Sequence, residues 1–482
     1  MANEGRPKMI IDSPDEVLST MSADGKRRWL YPVLSVGKFW QSRRVIAWTL
    51  IVLFTALPWL KIGEKPSVFI DIMRREFTFF GLTLYSTDTV LWMLFLLTVL
   101  LTVFFGTALL GRVWCGWACP QTVYLEFVFR PIERLIEGKE AQRKRRDEGP
   151  WNFDKAWRKV LKHSIYLVIA LLLAHTFVAY FVSWDQLLLW MTGSPRDNWA
   201  FFVMMAITTG MVFFDFAFFR EQMCTITCPY ARFQSVLIDS DSMIVSYDPN
   251  RGEKRGRRNR EQRKLEREGV KIELGDCIDC GACVRTCPTG IDIRNGLQME
   301  CVGCTQCMDA CDAIMISINK PVGLIRYTSE NAINNKPTRP VRPRTVLYGL
   351  ALVALVSAFI FVLVGRSTID VNIGRVVNVP YMQMGDGIGN NLRFRIQDRM
   401  QDSAVDIVAI APEGAQVRVI GQTPLQLQRG RHKRVETYVI VPREAFVNGS
   451  AQGIFEIRSD DGRVQRATFN LIGPSDADGV SP

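Results

Sequence analysis

The stretch that decides the fold runs from Cys277 to Cys311 and reads CIDCGACVRTCPTGIDIRNGLQMECVGCTQCMDAC. Its first half has the spacing C-x-x-C-x-x-C-x-x-x-C followed by Pro288, and its second half repeats that spacing. Such a double run is typical of bacterial two-cluster ferredoxins, in which the fourth cysteine of each run binds the other cluster. The spacing therefore predicts two [4Fe-4S] clusters. The predicted ligand sets are Cys277, Cys280, Cys283 and Cys311 for one cluster, and Cys301, Cys304, Cys307 and Cys287 for the other.

Zinc sites and structural disulfides are the alternatives to iron–sulfur ligation here. Zinc needs four ligands per site and usually takes them from paired C-x-x-C hairpins, not from a triplet plus one. Disulfides need an oxidising compartment, and the flanking basic charges predict a cytoplasmic location instead. Two complete copies in tandem favour clusters over both alternatives.

The rest of the chain alternates long apolar runs with strongly basic segments. The 482 residues carry a formal net charge of +11, and 48% of them are hydrophobic. The apolar runs approach the ~20 residues that a helix needs to cross the hydrocarbon core. Because they are apolar on all faces, they predict five transmembrane helices and not the buried helices of a soluble protein. The runs span about 45–62, 89–111, 164–184, 199–219 and 345–364, and the first is the shortest and contains Pro58.

Lysine and arginine residues predict the orientation of these spans. They concentrate in the amino-terminal segment 1–44, the loop 112–162 and the segment 220–344, and they are scarce in the loop 185–198. By the positive-inside rule, the first three of these regions are cytoplasmic and residues 366–482 lie outside. No signal peptide is expected, because the amino terminus has neither an apolar run nor a small-residue cleavage site. Beside membrane spans, the anionic lipid bilayer is a simpler partner for the basic charge than nucleic acid.

The domain boundaries follow from these runs. Residues 45–248 hold four spans, 249–344 hold a charged linker and the cytoplasmic ferredoxin domain, and 345–364 form the fifth span. Segment 366–482 shows about seven short alternating stretches separated by turn residues, which predicts an antiparallel β-sandwich. The predicted fold class is a multi-domain membrane protein of five transmembrane α-helices, a ferredoxin insert and a C-terminal β-sandwich.

Two further cysteine pairs directly follow the second and fourth apolar runs. WCGWACPQT contains Cys115 and Cys119, and QMCTITCPY contains Cys224 and Cys228, so that each pair reads C-x-x-x-C-P. A spacing of four residues predicts that both thiols of a pair share one helical face. The proline ends or kinks a helix that enters it. If the two spans pack together, the pairs form one four-thiol site.

Three kinds of chemistry fit such a site. Soft thiolates select Cu(I) and other soft metals. A dithiol can also carry two electrons as a disulfide, and small buried cysteines can be inert. The duplication of the motif with its proline favours a functional site, and the residues leave the metal open. Haem is disfavoured, because the only histidines are His163, His175 and His432, and the first two lie on different faces of one predicted helix. Asp215, inside the fourth span, is a functional candidate because ionisable groups in membranes are costly.

Three stretches carry a resemblance to a known family. GRVWCGWACPQTVYLEFVFRPIERLIEG at 111–138, the double cysteine run and GLIRYTSEN at 323–331 resemble the CcoG/FixG/RdxA family of cytochrome c oxidase accessory proteins, over nearly the whole chain. The resemblance implies an oxidoreductase of the bacterial inner membrane that reduces Cu(II) to Cu(I) for the copper centre of cbb-type oxidase. It implies that copper is handled by a catalytic set of cysteines, namely Cys115, Cys119, Cys224 and Cys228.

The same resemblance implies a periplasmic immunoglobulin-like domain that docks oxidase subunits or assembly factors. The electron donor is unknown at this stage, and a homodimer is left open. Two other functions are left open as well: a generic quinone-linked electron conduit, and a non-enzymatic scaffold for oxidase assembly.

Overall fold

The computed structural model describes residues 19–21, 26–62, 65–72, 75–85, 87–257, 274–339, 341–376 and 380–474. The first part of the predicted amino-terminal segment and residues 258–270 of the charged linker lie outside them. The chain forms two compact units. The first is built mainly from Met93–Ser357 and the amino-terminal part, and the second is built mainly from the residues after Ala358 together with Leu82–Trp92.

Helices dominate the first unit. The described α-helices of the chain are α1 Lys38–Ala56, α2 Thr89–Leu110, α3 Val113–Trp117, α4 Pro120–Tyr124, α5 Arg130–Glu137, α6 Glu140–Glu148, α7 Phe153–Val182, α8 Trp184–Thr192, α9 Trp199–Phe214, α10 Pro229–Leu237, α11 Pro249–Gly252, α12 Ala282–Arg285, α13 Gln306–Ser317, α14 Glu330–Ile333 and α15 Pro343–Val364. Single π-helical turns lie at Leu125–Phe129, Asp215–Phe219 and Met223–Thr227. Such turns occur frequently at functional sites.

Helices long and apolar enough to cross a membrane match four of the five predicted spans. Among the described residues they are Thr89–Leu110, Phe153–Val182, Trp199–Phe219 and Pro343–Val364. The first predicted span, 45–62, is not confirmed, because α1 ends at Ala56 and carries Lys38, Arg43 and Arg44 in its first turns. Its apolar part covers only about 18 Å at 1.5 Å per residue, which is less than the ~30 Å hydrocarbon core.

A two-stranded antiparallel sheet brackets the ferredoxin segment. Strand β6 (Ile244–Tyr247) pairs with β7 (Ile325–Thr328), with Ile244 opposite Thr328. The chain therefore enters and leaves the segment at one place, which lets the segment lie between two spans. Between the strands, α12 and α13 pack around a small core that includes Met308, Met315 and three of the ferredoxin cysteines.

The second unit contains the predicted β-sandwich. One sheet has the strand order β12-β14-β10-β8 with β9 also paired to β10, and the other has the order β13-β11-β15-β16. The strands of the sandwich are β8 Ile369–Arg375, β9 Met382–Met384, β10 Gly387–Asp398, β11 Ser403–Ala411, β12 Gln416–Val419, β13 Leu425–Leu427, β14 Lys433–Pro442, β15 Ser450–Ser459 and β16 Val464–Ile472. Phe394 and Phe455 meet edge to face at 5.2 Å in its core. The five strands between α1 and α2 are β1 Lys61–Ile62, β2 Lys65–Pro66, β3 Val68–Asp71, β4 Glu76–Phe79 and β5 Leu82–Tyr85.

Candidate functional site

The two ferredoxin loops have the same backbone conformation. In the first loop, Asp279 and Gly281 have φ values of +51° and +63°. In the second loop, the equivalent Gly303 and Thr305 have φ values of +66° and +60°. Residues with side chains rarely adopt this left-handed region, so its repetition at matching positions shows that each loop is wound in the same way. That winding brings successive cysteines of a C-x-x-C-x-x-C run around a common centre.

The second predicted ligand set surrounds a cavity. Its lining includes all four cysteines of that set, Cys287, Cys301, Cys304 and Cys307, together with Cys283 of the other set. The loop holding Cys287 thus reaches across to the run that contains the other three, as the crossed pattern predicts. These residues fit a bound cubane, because all four cysteines of the set line one cavity.

The first predicted set converges in the same way. Burial raises the pKa of the Cys311 thiol to about 12, and negative charge on Cys283, Cys277 and Cys280 would raise it as well. Cys311 therefore lies beside the three cysteines of the first run, although it closes the second run in sequence. Burial also raises the pKa of Cys283 to about 11 and that of Cys304 to about 12. Iron ligation supplies the positive charge that buried thiolates need.

The membrane-edge cysteine pairs straddle helix breaks. Cys115 lies in α3, whereas Cys119 is the residue before α4, with φ −62° and ψ 126°. Cys224 lies in a π-helical turn, and Cys228 precedes α10 with nearly the same backbone angles, φ −65° and ψ 112°. Pro120 and Pro229 each begin the new helix, in agreement with the predicted break. The two thiols of a pair therefore lie on either side of a break and not on one helical face.

The four membrane-edge thiols form one group. Burial raises the pKa of Cys115 to about 12, with further contributions from Cys119 and Cys228. Burial likewise raises the pKa of Cys224, and its next causes are Cys119, Cys115 and Cys228. The structure thus brings together two stretches that are far apart in sequence. We call these four cysteines the membrane-edge group.

Polar groups surround the membrane-edge group. The Cys115 thiol donates to Gln234 Oε1 at 3.2 Å, and Gln234 is fully buried. Burial raises the pKa of Cys119, whereas the backbone N–H groups of Thr122 and Gln121 lower it. The Gln121 side chain donates to Asp215 Oδ1 at 3.1 Å and to the Arg220 carbonyl at 3.0 Å. Asp215, a candidate from the sequence, is therefore tied to this group through one glutamine.

The four cysteines of the membrane-edge group do not lie close enough together to hold one metal ion. Among the described residues, no three His, Cys, Asp or Glu side chains lie close enough together to hold a single metal. This is expected for the ferredoxin sets, because each thiolate of a cubane binds a different iron. For the membrane-edge group, a single metal ion would have to draw the thiols together by side-chain rotation.

The membrane-edge group packs directly against the ferredoxin loop of Cys304. A Cβ atom on Gly116 would lie 2.9 Å from the Cys304 nitrogen and still closer to the Gly303 carbonyl oxygen. Arg43, 1% exposed, donates from Nε to the Gly116 carbonyl at 2.8 Å and from Nη1 to the Cys304 carbonyl at 2.7 Å. Arg112 donates to the Cys301 carbonyl at 2.9 Å. The two cysteine regions therefore share one buried contact.

A buried ion network holds the chain that carries Cys224. Glu133, 2% exposed, accepts from Arg220 Nη2 at 3.1 Å and from Arg143 Nη1 at 2.8 Å. Although burial opposes it, the charges of Arg220, Lys162 and Arg143 lower the pKa of Glu133 to about 2. Arg220 is left-handed, with φ +55°, at the end of the π-helical turn. The network fixes the bend that leads from the fourth span into the second cysteine pair.

Several of these residues have no clear signal in the sequence. Arg43 belongs to a basic cluster that indicates topology, and Gly116 is one glycine inside a cysteine motif. In His163 and His175, Nδ1 lies 2.7 Å from the carbonyl oxygen of the residue four positions earlier in the same helix. The His163 ring also stacks on Phe218 at 5.7 Å. None of these contacts indicates a haem ligand.

Comparison with known proteins identifies the family. The chain is 33% identical to protein RdxA of Cereibacter sphaeroides, over 90% of this chain and 93% of RdxA. It belongs to the FixG/RdxA family. It is also 32% identical to RdxB of the same organism over 84% of this chain and 86% of that protein. With nitrogen fixation protein FixG of Rhizobium meliloti it shares 28% identity over 93% of this chain and 94% of FixG.

Family models match three parts of the chain. Residues 219–330 match a 4Fe-4S dicluster domain, and residues 92–139 match a 4Fe-4S binding domain. Residues 359–474 match the "IG-like fold at C-terminal of FixG". The predicted iron–sulfur chemistry and the immunoglobulin-like domain are thereby confirmed. The protein is a membrane protein of an iron–sulfur oxidoreductase family.

Proposed function

We propose that this protein reduces Cu(II) to Cu(I) at the membrane-edge group, Cys115, Cys119, Cys224 and Cys228. The observation that carries the proposal is the contact between this group and the Cys304 loop, made through Gly116 and Arg43. Thiolates stabilise Cu(I) over Cu(II), so they raise the copper potential and favour reduction. Bound [4Fe-4S] clusters supply low-potential one-electron chemistry.

Each reduction adds one electron to one Cu(II) ion and yields one Cu(I) ion. The electron originates in a reduced low-potential electron carrier, whose identity the sequence leaves open. Copper binding replaces the thiol protons, and the backbone N–H groups beside Cys119 favour its thiolate. Gln234 holds the Cys115 sulfur in place through its hydrogen bond. The cysteines are therefore the residues that touch the substrate, and Gln234 positions one of them.

A fifth span, formed by α1 and the residues after it, is part of the proposal. At its start, Arg43 contacts Gly116 and Cys304 beside the ferredoxin segment. Past its end, Lys61 Nζ lies 2.6 Å from Asp185 Oδ2, just beyond the far end of α7. The Trp59 and Trp184 rings meet there at 3.9 Å. Because α7 is itself of membrane-crossing length, these contacts support a crossing by the predicted run 45–62 although its apolar part is short.

The side of the membrane follows from the basic residues. We place the ferredoxin segment and amino terminus in the cytoplasm of a bacterial cell, with the β-sandwich in the periplasm, because Lys and Arg concentrate around the former. The Cu(I) product then serves the copper centre of a cbb-type oxidase. The sandwich is a docking surface for oxidase subunits or assembly factors.

A second candidate function is a generic electron conduit without copper chemistry. One observation favours it: the 4Fe-4S binding model matches residues 92–139, which contain only Cys115 and Cys119. Two thiols alone cannot hold a cubane with four cysteine ligands. With Cys224 and Cys228 the membrane-edge group has four, and it would then hold a third cluster in place of copper.

Metal content separates the two candidates. The protein is purified anaerobically in detergent, its iron is assayed, and Cu(I) is offered in competition with a Cu(I)-specific chelator. The copper proposal predicts about eight irons per chain and Cu(I) bound by the wild type. Cys224→Ser should lose the copper and keep the iron. About twelve irons, falling to about eight in Cys224→Ser, would establish the conduit instead.

A further inference from the structure

The two ferredoxin ligand sets lie in different electrostatic surroundings. Arg43 and Arg112 donate to the carbonyls of Cys304 and Cys301, both in the second ligand set. Arg43 is 1% exposed and Arg112 is 9% exposed. Among the described residues, no carboxylate lies within ion-pair distance of either guanidinium. Both keep a buried nitrogen without a hydrogen-bond partner, Nη2 in Arg43 and Nε in Arg112.

A buried, unpaired guanidinium is costly unless an anion lies nearby. Four cysteine thiolates around a cubane are such an anion, and two of the cysteines that line the cavity, Cys304 and Cys301, accept from these arginines through their carbonyls. Arg112 lowers the pKa of Cys301 after burial has raised it, and its effect exceeds the opposing effect of Glu300. A third arginine, Arg130, donates to the Pro288 carbonyl at 3.4 Å. Arg130 is already paired with Glu126, so it adds little net charge.

The first ligand set has different surroundings. Arg285 donates to the Cys280 carbonyl at 2.9 Å, but it is exposed to solvent. The more buried Arg294 pairs with Asp292 at 2.6 Å and also with Asp279. Two carboxylates therefore face one guanidinium. Asp312 adds further negative charge beside Cys311, where it raises the pKa of the thiol. Among the described residues, the guanidinium groups near the first set are thus either ion-paired or exposed, whereas the second set has two that are buried and have no ion-pair partner.

We infer that Arg43 and Arg112 raise the reduction potential of the site held by Cys287, Cys301, Cys304 and Cys307 above that of the other site. A cluster potential rises when nearby positive charge stabilises the reduced form, which carries one more electron. The second set is also the one that contacts Gly116 and the membrane-edge group. Because these arginines raise its potential, the second site is the one from which electrons leave the ferredoxin segment. Electrons therefore flow from the first site to the second. Only the destination of the electrons rests on the proposed function; the difference in potential does not.

An anaerobic redox titration of the detergent-purified full chain, followed by EPR and without copper, tests this inference. Wild-type protein should show two reduction steps. Arg43→Gln should lower the upper midpoint and leave the lower one unchanged. The equilibrium constant for reducing the upper site relative to the lower one should fall by about tenfold or more. Arg43→Lys keeps the charge and should keep most of the gap.

Two further variants keep the test decisive. Arg112→Gln should lower the same upper midpoint. It tests the effect of positive charge on the second site even if Arg43→Gln loses iron. Arg294→Gln is the matched control beside the first set and should lower only the lower midpoint. Coincident midpoints in the wild type would overturn the inference. A lower midpoint that falls in Arg43→Gln and Arg112→Gln, or an upper midpoint that neither variant moves, would overturn it as well.

Discussion

Cysteine thiols converge in both the ferredoxin segment and the membrane-edge group, but the chain brings them together in different ways. In the ferredoxin segment, one continuous stretch supplies eight cysteines, and left-handed residues such as Gly281 and Gly303 wind each loop around its centre. In the membrane-edge group, two distant stretches meet through tertiary contacts such as the bond from Cys115 to Gln234, and in each stretch a new helix begins at the proline, Pro120 or Pro229. The ferredoxin arrangement depends on residues that are close in sequence, and it occurs twice. The membrane-edge arrangement depends on the tertiary contacts of the first unit.

The largest expected effect is a difference in iron content between a variant of the ferredoxin segment and a variant of the membrane-edge group. Cys304→Ala removes one ligand of the second set, so iron should fall from about eight to about four per chain. Cys228→Ser, in the membrane-edge group, should leave iron near eight. Iron assay with EPR of reduced protein measures both. If Cys228→Ser lost as much iron as Cys304→Ala, the membrane-edge group would itself hold iron, as the conduit function requires.

The second prediction concerns the tertiary contacts behind the membrane-edge group. Glu133→Gln leaves the buried Arg143 without its carboxylate and leaves Arg220 with only Glu221 at 3.5 Å, which should cost about 3–5 kcal/mol. Thermal unfolding in detergent should show a clear loss of stability, together with loss of Cu(I) binding. Glu148→Gln is the matched control, because Glu148 is exposed and lies 3.8 Å from the exposed Lys144. That control should change stability by less than about 1 kcal/mol. Equal losses of stability in the two variants would show that the buried ion network does not stabilise the protein.

The third prediction tests the contact between the two regions. Gly116→Ala places a Cβ atom against the Gly303 carbonyl and the Cys304 nitrogen, and the backbone there cannot move aside easily. We expect a cost of about 1–3 kcal/mol and slower Cu(II) reduction at full iron content. Gly106→Ala is the control, because nothing lies within 4 Å of its added Cβ. Stopped-flow mixing of reduced protein with Cu(II) compares the rates. Unchanged kinetics in Gly116→Ala would contradict a functional contact.

The smallest expected effect concerns Gln234. Gln234→Met keeps the side-chain length and removes the hydrogen bond from the Cys115 thiol, which should cost about 1 kcal/mol. Its Nε2 is buried without a partner among the described residues, and loss of that group offsets part of the cost. Iron content should stay near eight, and Cu(I) affinity should change only a few-fold. An iron loss in this variant would show that Gln234 supports the ferredoxin segment.

The contrast between local and tertiary contacts explains which features the sequence predicts. Cysteine spacing predicts the crossed sets, because the loops around Cys280 and Cys304 depend on nearby residues. Proline after Cys119 and Cys228 predicts the helix breaks for the same reason. The bond from Arg43 to Cys304 joins residues 261 positions apart, so no local pattern predicts it. All seven predicted strands lie in the sandwich. The pattern missed β9 and β13, which have three residues each and are too short for an alternation to show.

The most direct test of the central claim is a single-turnover reduction of Cu(II). Wild-type protein is reduced with dithionite, freed of excess reductant, and mixed anaerobically with Cu(II) and a Cu(I)-specific chelator. The account predicts one Cu(I) for each electron lost from the protein, with loss of the EPR signal of the reduced clusters at the same rate. In the double variant Cys115→Ser/Cys224→Ser, the reduced clusters should remain and Cu(I) formation should fall at least about a hundredfold, because two thiolate ligands for Cu(I) are gone. Cu(I) formation at the wild-type rate in that variant, with its clusters intact, would contradict the account.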